Sequence, residues 1–168
     1  MRRYYLYPSG SFVSNIKNTG SFYNIFGSNN LPLSSSIQAV AGNNAPYTIS
    51  FFSPPNNPNI HGYSGSYTAS LYISTANANT SMSVRLHRVN QYGVIQQSTT
   101  SSLSQMLTAI GAYRYFFGPT GSLSSFAAND RIRVDFQMYH NMAFSPSFVC
   151  GSTGSYLESP TSARIIGS

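Results

Sequence analysis

Charge is what this sequence lacks most. Only 7% of its 168 residues are Asp, Glu, Lys or Arg, against about a quarter in an ordinary soluble domain. The acids are Asp130, Asp135 and Glu158, and Lys17 is the sole lysine. Carboxylates this scarce leave little for general acid–base work, which needs two titratable groups tuned apart in one place. Asp130 and Asp135 are the only close pair, and their odd spacing sends them to opposite faces of a continuous strand. Asp130, preceded by Asn129, suits a turn, and nothing in the sequence ties Glu158 to either. A glycosidase-type carboxylate pair is therefore not expected.

Cysteine is nearly absent too. Cys150 is alone, so the chain forms no internal disulfide and no cysteine-based zinc site. In "FVCGS" it ends an apolar run, where a buried structural thiol is the default. His61, His87 and His140 lie far apart with no H-x-x-x-H or H-E-x-x-H spacing. A pairing of strands could bring His87 near His140, but single surface or capping histidines are the expectation. "GYSGS" fails as a nucleophile elbow, and no phosphate-binding or dinucleotide fingerprint occurs. The expectation is a protein that is not an enzyme, with no catalytic, cofactor-binding or metal residues.

Long apolar runs are missing as well. No segment reaches the length of a membrane span, and the basic start "MRRYYLYPSG" lacks the apolar core of a signal peptide behind it. "NTS" at Asn79 matches a glycosylation acceptor that, without a secretory signal, is incidental. Assembly inside a host cytoplasm, without membrane contact, is expected. The net charge of +6 is spread along the chain, and no basic run exceeds Arg2–Arg3. Nucleic-acid binders usually show a clustered footprint. Phosphate contact by Arg2, Arg3, Arg85, Arg88, Arg131 and Arg133 is therefore a lesser alternative, to be judged by salt dependence.

What is present is neutral and sheet-forming. Aromatics reach 14%, all Tyr and Phe, amid abundant Ser, Asn, Thr and Gly. That mixture favours strands and turns, and a neutral surface protects weakly against self-association. The first third is broken by "NNLP", "GNNAP" and "SPPNNPN", with strand candidates at Phe22–Phe26, Ile37–Ala41 and Tyr47–Phe52. The Tyr-rich first ten residues read as an extended arm that packs on a neighbour. From Ser64 the alternation sharpens. Tyr67, Ala69, Leu71 and Ile73, then Met82, Val84 and Leu86, alternate with polar residues and predict strands with one wet face.

"NQYG" is a turn, followed by a strand over Val94–Thr100. Leu103, Met106, Leu107 and Ile110 fit one face of a short helix. "AYRYFF" reads as a strand, and "NDRIRVDFQMYH" as the best-written one: Ile132, Val134, Phe136 and Met138 form an apolar face. Arg131, Arg133, Asp135 and Gln137 fall on the other, where opposite charges pair along the strand or across it. Phe148–Cys150 and "SARIIG" supply closing strands. Arg85, His87, Arg131 and Arg133 would form a small cationic patch if their strands are adjacent. Tyr72, Tyr92, Tyr139 and Tyr156, on the exposed faces, suit sugar stacking or a subunit interface.

The order "GSYTASLYIS", "SVRLHRVNQYG", "FAANDRIRVDFQM" over residues 65–138 resembles the jelly-roll modules of virion structural proteins, and is similar to C1q/TNF-type sandwiches. The resemblance implies that Tyr67, Leu71 and Ile73 fill the core. It further implies that the Asp130–Ile132 turn and strand lies beside a trimer interface or an exposed edge, in a component of a phage or virus particle. The fold expected is all-β: a jelly-roll-like antiparallel β-sandwich of about eight to ten short strands. Residues 1–20 form an N-terminal arm and 21–168 a single sandwich domain. The function expected is a capsid, decoration or tail subunit contacting its own copies, with a trimer favoured, and other virion proteins. Interface candidates are Arg2, Arg3, Tyr4, Tyr5, Tyr7, Arg85, Arg131, Arg133 and Asp135. The alternative is a glycan- or receptor-binding module of such a particle, with Tyr72 and Tyr139 as stacking residues.

Overall fold

The computed structural model describes residues 2–8, 22–25, 35–38, 47–52, 66–74, 80–90, 92, 94–100, 104–118, 130–140, 147–150 and 154–159. They form strands β1 (Arg2–Pro8), β2 (Phe22–Ile25), β3 (Ser35–Gln38), β4 (Tyr47–Phe52), β5 (Tyr67–Ile73) and β6 (Thr80–Val89). The series continues with β7 (Ile95–Thr100), β8 (Gln105–Met106), β9 (Gly111–Phe117), β10 (Arg131–His140), β11 (Ser147–Cys150) and β12 (Tyr156–Ser159). The protein is an all-β sandwich, antiparallel except where β2 runs parallel to β4.

Two sheets follow from the pairing. In the first, β9 is the edge and pairs β5. The other side of β5 is shared end to end by β11 and β12, which in turn pair β3 and β1. The second runs β1–β2–β4–β10–β6, and β6 is flanked by β7 and β8. Strand β1 belongs to both: Arg2–Tyr5 pair with β12 and Leu6–Pro8 with β2. The residues expected as an arm are therefore, from Arg2 to Pro8, woven into the sandwich.

Alternation builds the core between the sheets. Tyr67, Ala69, Leu71 and Ile73 of β5 meet Met82, Val84 and Leu86 of β6 and Ile132, Val134, Phe136 and Met138 of β10 in one buried cluster. Each Leu, Ile, Val, Phe or Met among them contributes about 1.5–3 kcal/mol by leaving water. Phe51 packs edge-to-face on Phe136 with centroids 5.8 Å apart, the favoured aromatic geometry. The sheets are also bonded: Tyr115 of β9 donates its hydroxyl to the Met82 carbonyl of β6 at 2.7 Å.

The short helix expected over Leu103–Ile110 does not form over the described part, residues 104–110. Met106 pairs Ser81 in the second sheet, and Gly111 pairs Ile73 in the first. Between them the chain must cross a gap of about 10 Å, and a helical stretch of four residues would advance only about 6 Å. Leu107 alone turns inward, with its N–H on the Thr80 carbonyl at 2.9 Å; Met106 and Ile110 stay exposed. Gly111 starts β9 at φ +156°, a conformation L side chains rarely adopt. Strand β12 had no sequence signal beyond "YLES", and the "SARIIG" strand lies outside the described residues, as do residues 39–41.

Candidate functional site

The opposite face of the second sheet holds most of the charge. Pairing of β10 with β6 and β4 sets Asp135 opposite Ser50 on one side and Arg85 on the other. One residue row away, Arg133 faces Phe52 and His87, and His87 faces Ser98 of β7. Every strand in these rows is extended, so the side chains project from the same face and converge.

Asp135 is the hub. Its Oδ1 accepts from Ser50 Oγ and from Arg133 Nε, each at 2.7 Å. Its Oδ2 lies 3.1 Å from His87 Nε2. The other ring nitrogen, Nδ1, is 2.6 Å from Ser98 Oγ. Arg133 also stacks its guanidinium over Phe52, 5.4 Å from the ring centroid. Burial by itself pushes the Asp135 carboxyl up, but the His87 hydrogen bond, the Arg133 charge and hydrogen bond, and the Ser50 hydroxyl outweigh it and leave the pKa lowered. Burial pulls the Arg131 guanidinium below its usual value.

A second ion pair stands where β10 begins. Arg88 NH1 donates to Asp130 Oδ2 at 2.7 Å, and its Nε to Gln97 Oε1 at 3.1 Å. The two aspartates thus have separate partners and share no site.

This geometry corrects several expectations. The pairing of opposite charges expected on β10 is the Arg133–Asp135 bond, but the wet face expected of β6 is closed at His87, which is buried together with Ser50, Phe52, Arg131 and Asp135. The cationic patch does not present itself, because of its four members only Arg85 is exposed and Asp135 sits among them. His87 is neither a surface nor a capping residue, since it is clamped between Ser98 and Asp135. It is also far from His140, which pairs with Thr80 while His87 pairs with Arg133, about 23 Å apart at strand spacing. Asp135 therefore does have a histidine in reach. The alternation placed His87 with Arg131 and Arg133 on one face, but the contributions of Ser50, Phe52 and Ser98 had no signal in the sequence, because only the register of four strands brings them together.

The remaining predicted residues are scattered. Arg2, Arg3, Tyr4, Tyr5 and Tyr7 lie on β1, with Arg3 opposite Glu158 in register. Tyr139 is 42% exposed and stands in one row with Ser81 and the exposed Met106. Tyr72 is half-buried beside Gly154. Tyr92 is exposed, whereas Tyr156 is buried because β1 and β5 flank it on both sides. Among the described residues no group of His, Cys, Asp and Glu gathers as a metal site.

Chemically, a hydroxyl bonded to an imidazole that is held by a carboxylate is the arrangement of an activated nucleophile. Two features give it another character here. Both Asp135 oxygens are engaged, one of them twice, and the chain of bonds runs laterally across β4, β10, β6 and β7. The imidazole also turns Nδ1, the nitrogen nearer its own backbone, toward the serine.

No family model and no curated protein matches this sequence. Among solved structures it is similar to a CocE/NonD family hydrolase from Staphylococcus aureus, with TM-score 0.61, 10% identity and 93% of this chain covered. The chain spans 35% of that hydrolase's length. It is also similar to a structure of infectious bursal disease virus, Gx strain, with TM-score 0.42, 12% identity, and 80% of this chain and 33% of the viral one covered. A VP2 subviral particle of the same virus matches with TM-score 0.41 and 11% identity, covering 80% of this chain and 34% of the other. The likeness to the hydrolase is one of fold.

Proposed function

We propose that this chain is a non-enzymatic virion structural protein, a capsid, decoration or tail subunit that works through contacts with its own copies and with other particle proteins. The observation that carries the reading is the character of the surface. Among the side chains whose burial is described, Arg85 and Arg114 are the exposed charged ones, while Tyr92, Val94, Ile95, Met106, Ile110, Phe116 and Tyr139 are exposed apolar or aromatic ones. A surface rich in aromatics and Met and poor in charge has the composition of an interface. The buried ionic network supports the same reading. It places the scarce charge in a network that ties four strands together.

Sedimentation of the purified chain across micromolar concentrations tests this. Self-association, with a trimer favoured, is expected; a well-behaved monomer at high concentration would overturn the proposal. A fluorophosphonate probe tests the non-enzymatic part, and covalent labelling of Ser98 would sink it. The exposure of Tyr139 favours a second reading as a glycan-binding module. That reading requires defined glycan-array hits that vanish in Tyr139→Ala.

A further inference from the structure

The two sheets end in edge strands that are treated differently. One edge of the first sheet, β9, is guarded. Gln105 Nε2 donates to the Arg114 carbonyl at 2.7 Å, so a side chain of the same molecule fills a place on its outer side. Arg114 puts a charge at mid-strand, and the Tyr113 hydroxyl donates to the Ala109 carbonyl at 2.6 Å and accepts from its N–H at 3.1 Å. Charge and cover are the usual defences of an edge.

The edge of the second sheet, β7, has neither. "IQQSTT" contains no charge and no proline, and among the described residues its backbone pairs with β6 alone. Ile95, Gln96, Ser98 and Thr100 are exposed. The preceding turn adds Tyr92 and Val94, 59% and 57% exposed, at the end of the same edge. An uncharged edge of this length is a template for another strand.

We propose that β7 pairs antiparallel with β7 of a second copy, about a two-fold axis at Ser98, so that two second sheets become one. Self-pairing is what the sequence of this strand suits. A two-fold axis at Ser98 sets residue 96 against 100 and 97 against 99, so a strand carrying charge of one sign would meet like charges at about 5 Å. Here Gln97 meets Thr99 and Gln96 meets Thr100, all neutral, and paired residues keep to one face. The bulge at Arg88/Val89 leaves Gln96 without a partner on β6. The proposal rests on the self-association reading and specifies one of its contacts; a two-fold contact is independent of a threefold one.

Two double variants test it in the intact chain. Gln96→Glu with Thr100→Glu sets carboxylates against each other across the axis, while the carboxylate introduced at position 100 stays opposite Arg85 within the molecule. It should weaken association by about tenfold or more in sedimentation equilibrium, with the thermal midpoint unchanged. Gln96→Glu with Thr100→Lys sets opposite charges across the axis and should restore it. If the wild type associates and the first variant associates as tightly, or the second fails to recover, this contact is wrong and the broader reading stands. A monomeric wild type would remove both.

Discussion

The two sheets satisfy their buried polar groups by different means. In the second, Asp135 draws Ser50, Arg133 and His87 onto one carboxylate, and Arg88 closes on Asp130 beside it. In the first, the corresponding work falls to neutral groups where β11 gives way to β12. There Ser155 Oγ accepts from the Tyr72 N–H at 3.0 Å, its carbonyl accepts from the Leu6 N–H at 3.1 Å, and Ser70 Oγ donates to the Gly154 carbonyl at 2.7 Å. Ionic bonds are individually stronger but depend on every partner being present. Hydroxyl bonds are weaker and separable. The ionic network around Asp135 should therefore fail all at once, and the hydroxyl bonds at Gly154 and Ser155 by increments.

The sharpest way to break this contrast is Asp135→Ala. It leaves His87 and Ser50 buried and Arg133 half-buried around an empty acceptor, and removing one partner of a buried pair costs about 3–5 kcal/mol. Urea unfolding should show that loss; a change near 1 kcal/mol would mean that the network is dispensable. The same carboxylate makes stability depend on acid. Its folded pKa is depressed, so its stabilisation is fully present above the ordinary carboxylate value of about 4 and is lost as pH falls through the lower folded value. Thermal midpoints should drop below about pH 4, and Asp135→Asn should flatten that part of the curve.

A smaller effect is expected between the sheets. Tyr115→Phe keeps the ring in the core and removes only the hydroxyl that reaches the Met82 carbonyl. Burial, with the neighbouring Tyr113, holds that hydroxyl in its neutral form, so the bond stays available to donate through the alkaline range. Deleting it should cost about 1–2 kcal/mol, read by the same denaturation. No change at all would mean that packing alone joins the sheets here.

These outcomes bear on what a sequence discloses. The strand faces were legible: the alternation in β5, β6 and β10 marks the buried set, because a period of two admits one inward face. Strand β4 stands at Tyr47–Phe52, where its apolar and β-branched run indicates it. The bond between Asp135 and His87 was not legible, since it depends on the register of residues 48 apart. The pairing of Arg133 with Asp135 is legible in the alternating opposite charges of β10, whereas the wet face expected of β6 fails at His87, which Ser98 and Asp135 enclose. The crossing at Leu107–Ile110 misled through helix-like spacing that the gap between sheets overrides.

The mildest break falls in the neutral sheet, at Gly154. A Cβ built there would lie 3.0 Å from Tyr72 Cδ2, 3.2 Å from Tyr72 Cβ and 3.4 Å from Ala112 Cβ. Gly154 thus lets the β11–β12 junction approach β5 closely enough for Ser70 and Ser155 to bond across. In Gly154→Ala the tyrosine ring must swing outward, a strain of about 1 kcal/mol. Since Tyr72 is half-exposed, it has room to move, which keeps the effect below that of any change at Asp135. Adding Tyr72→Ala removes the 3.0 Å ring contact and leaves the one to Cβ, so the double variant should lose somewhat less than the sum of the two single losses in a denaturation cycle. Strict additivity would show that the close approach at this junction does not depend on glycine.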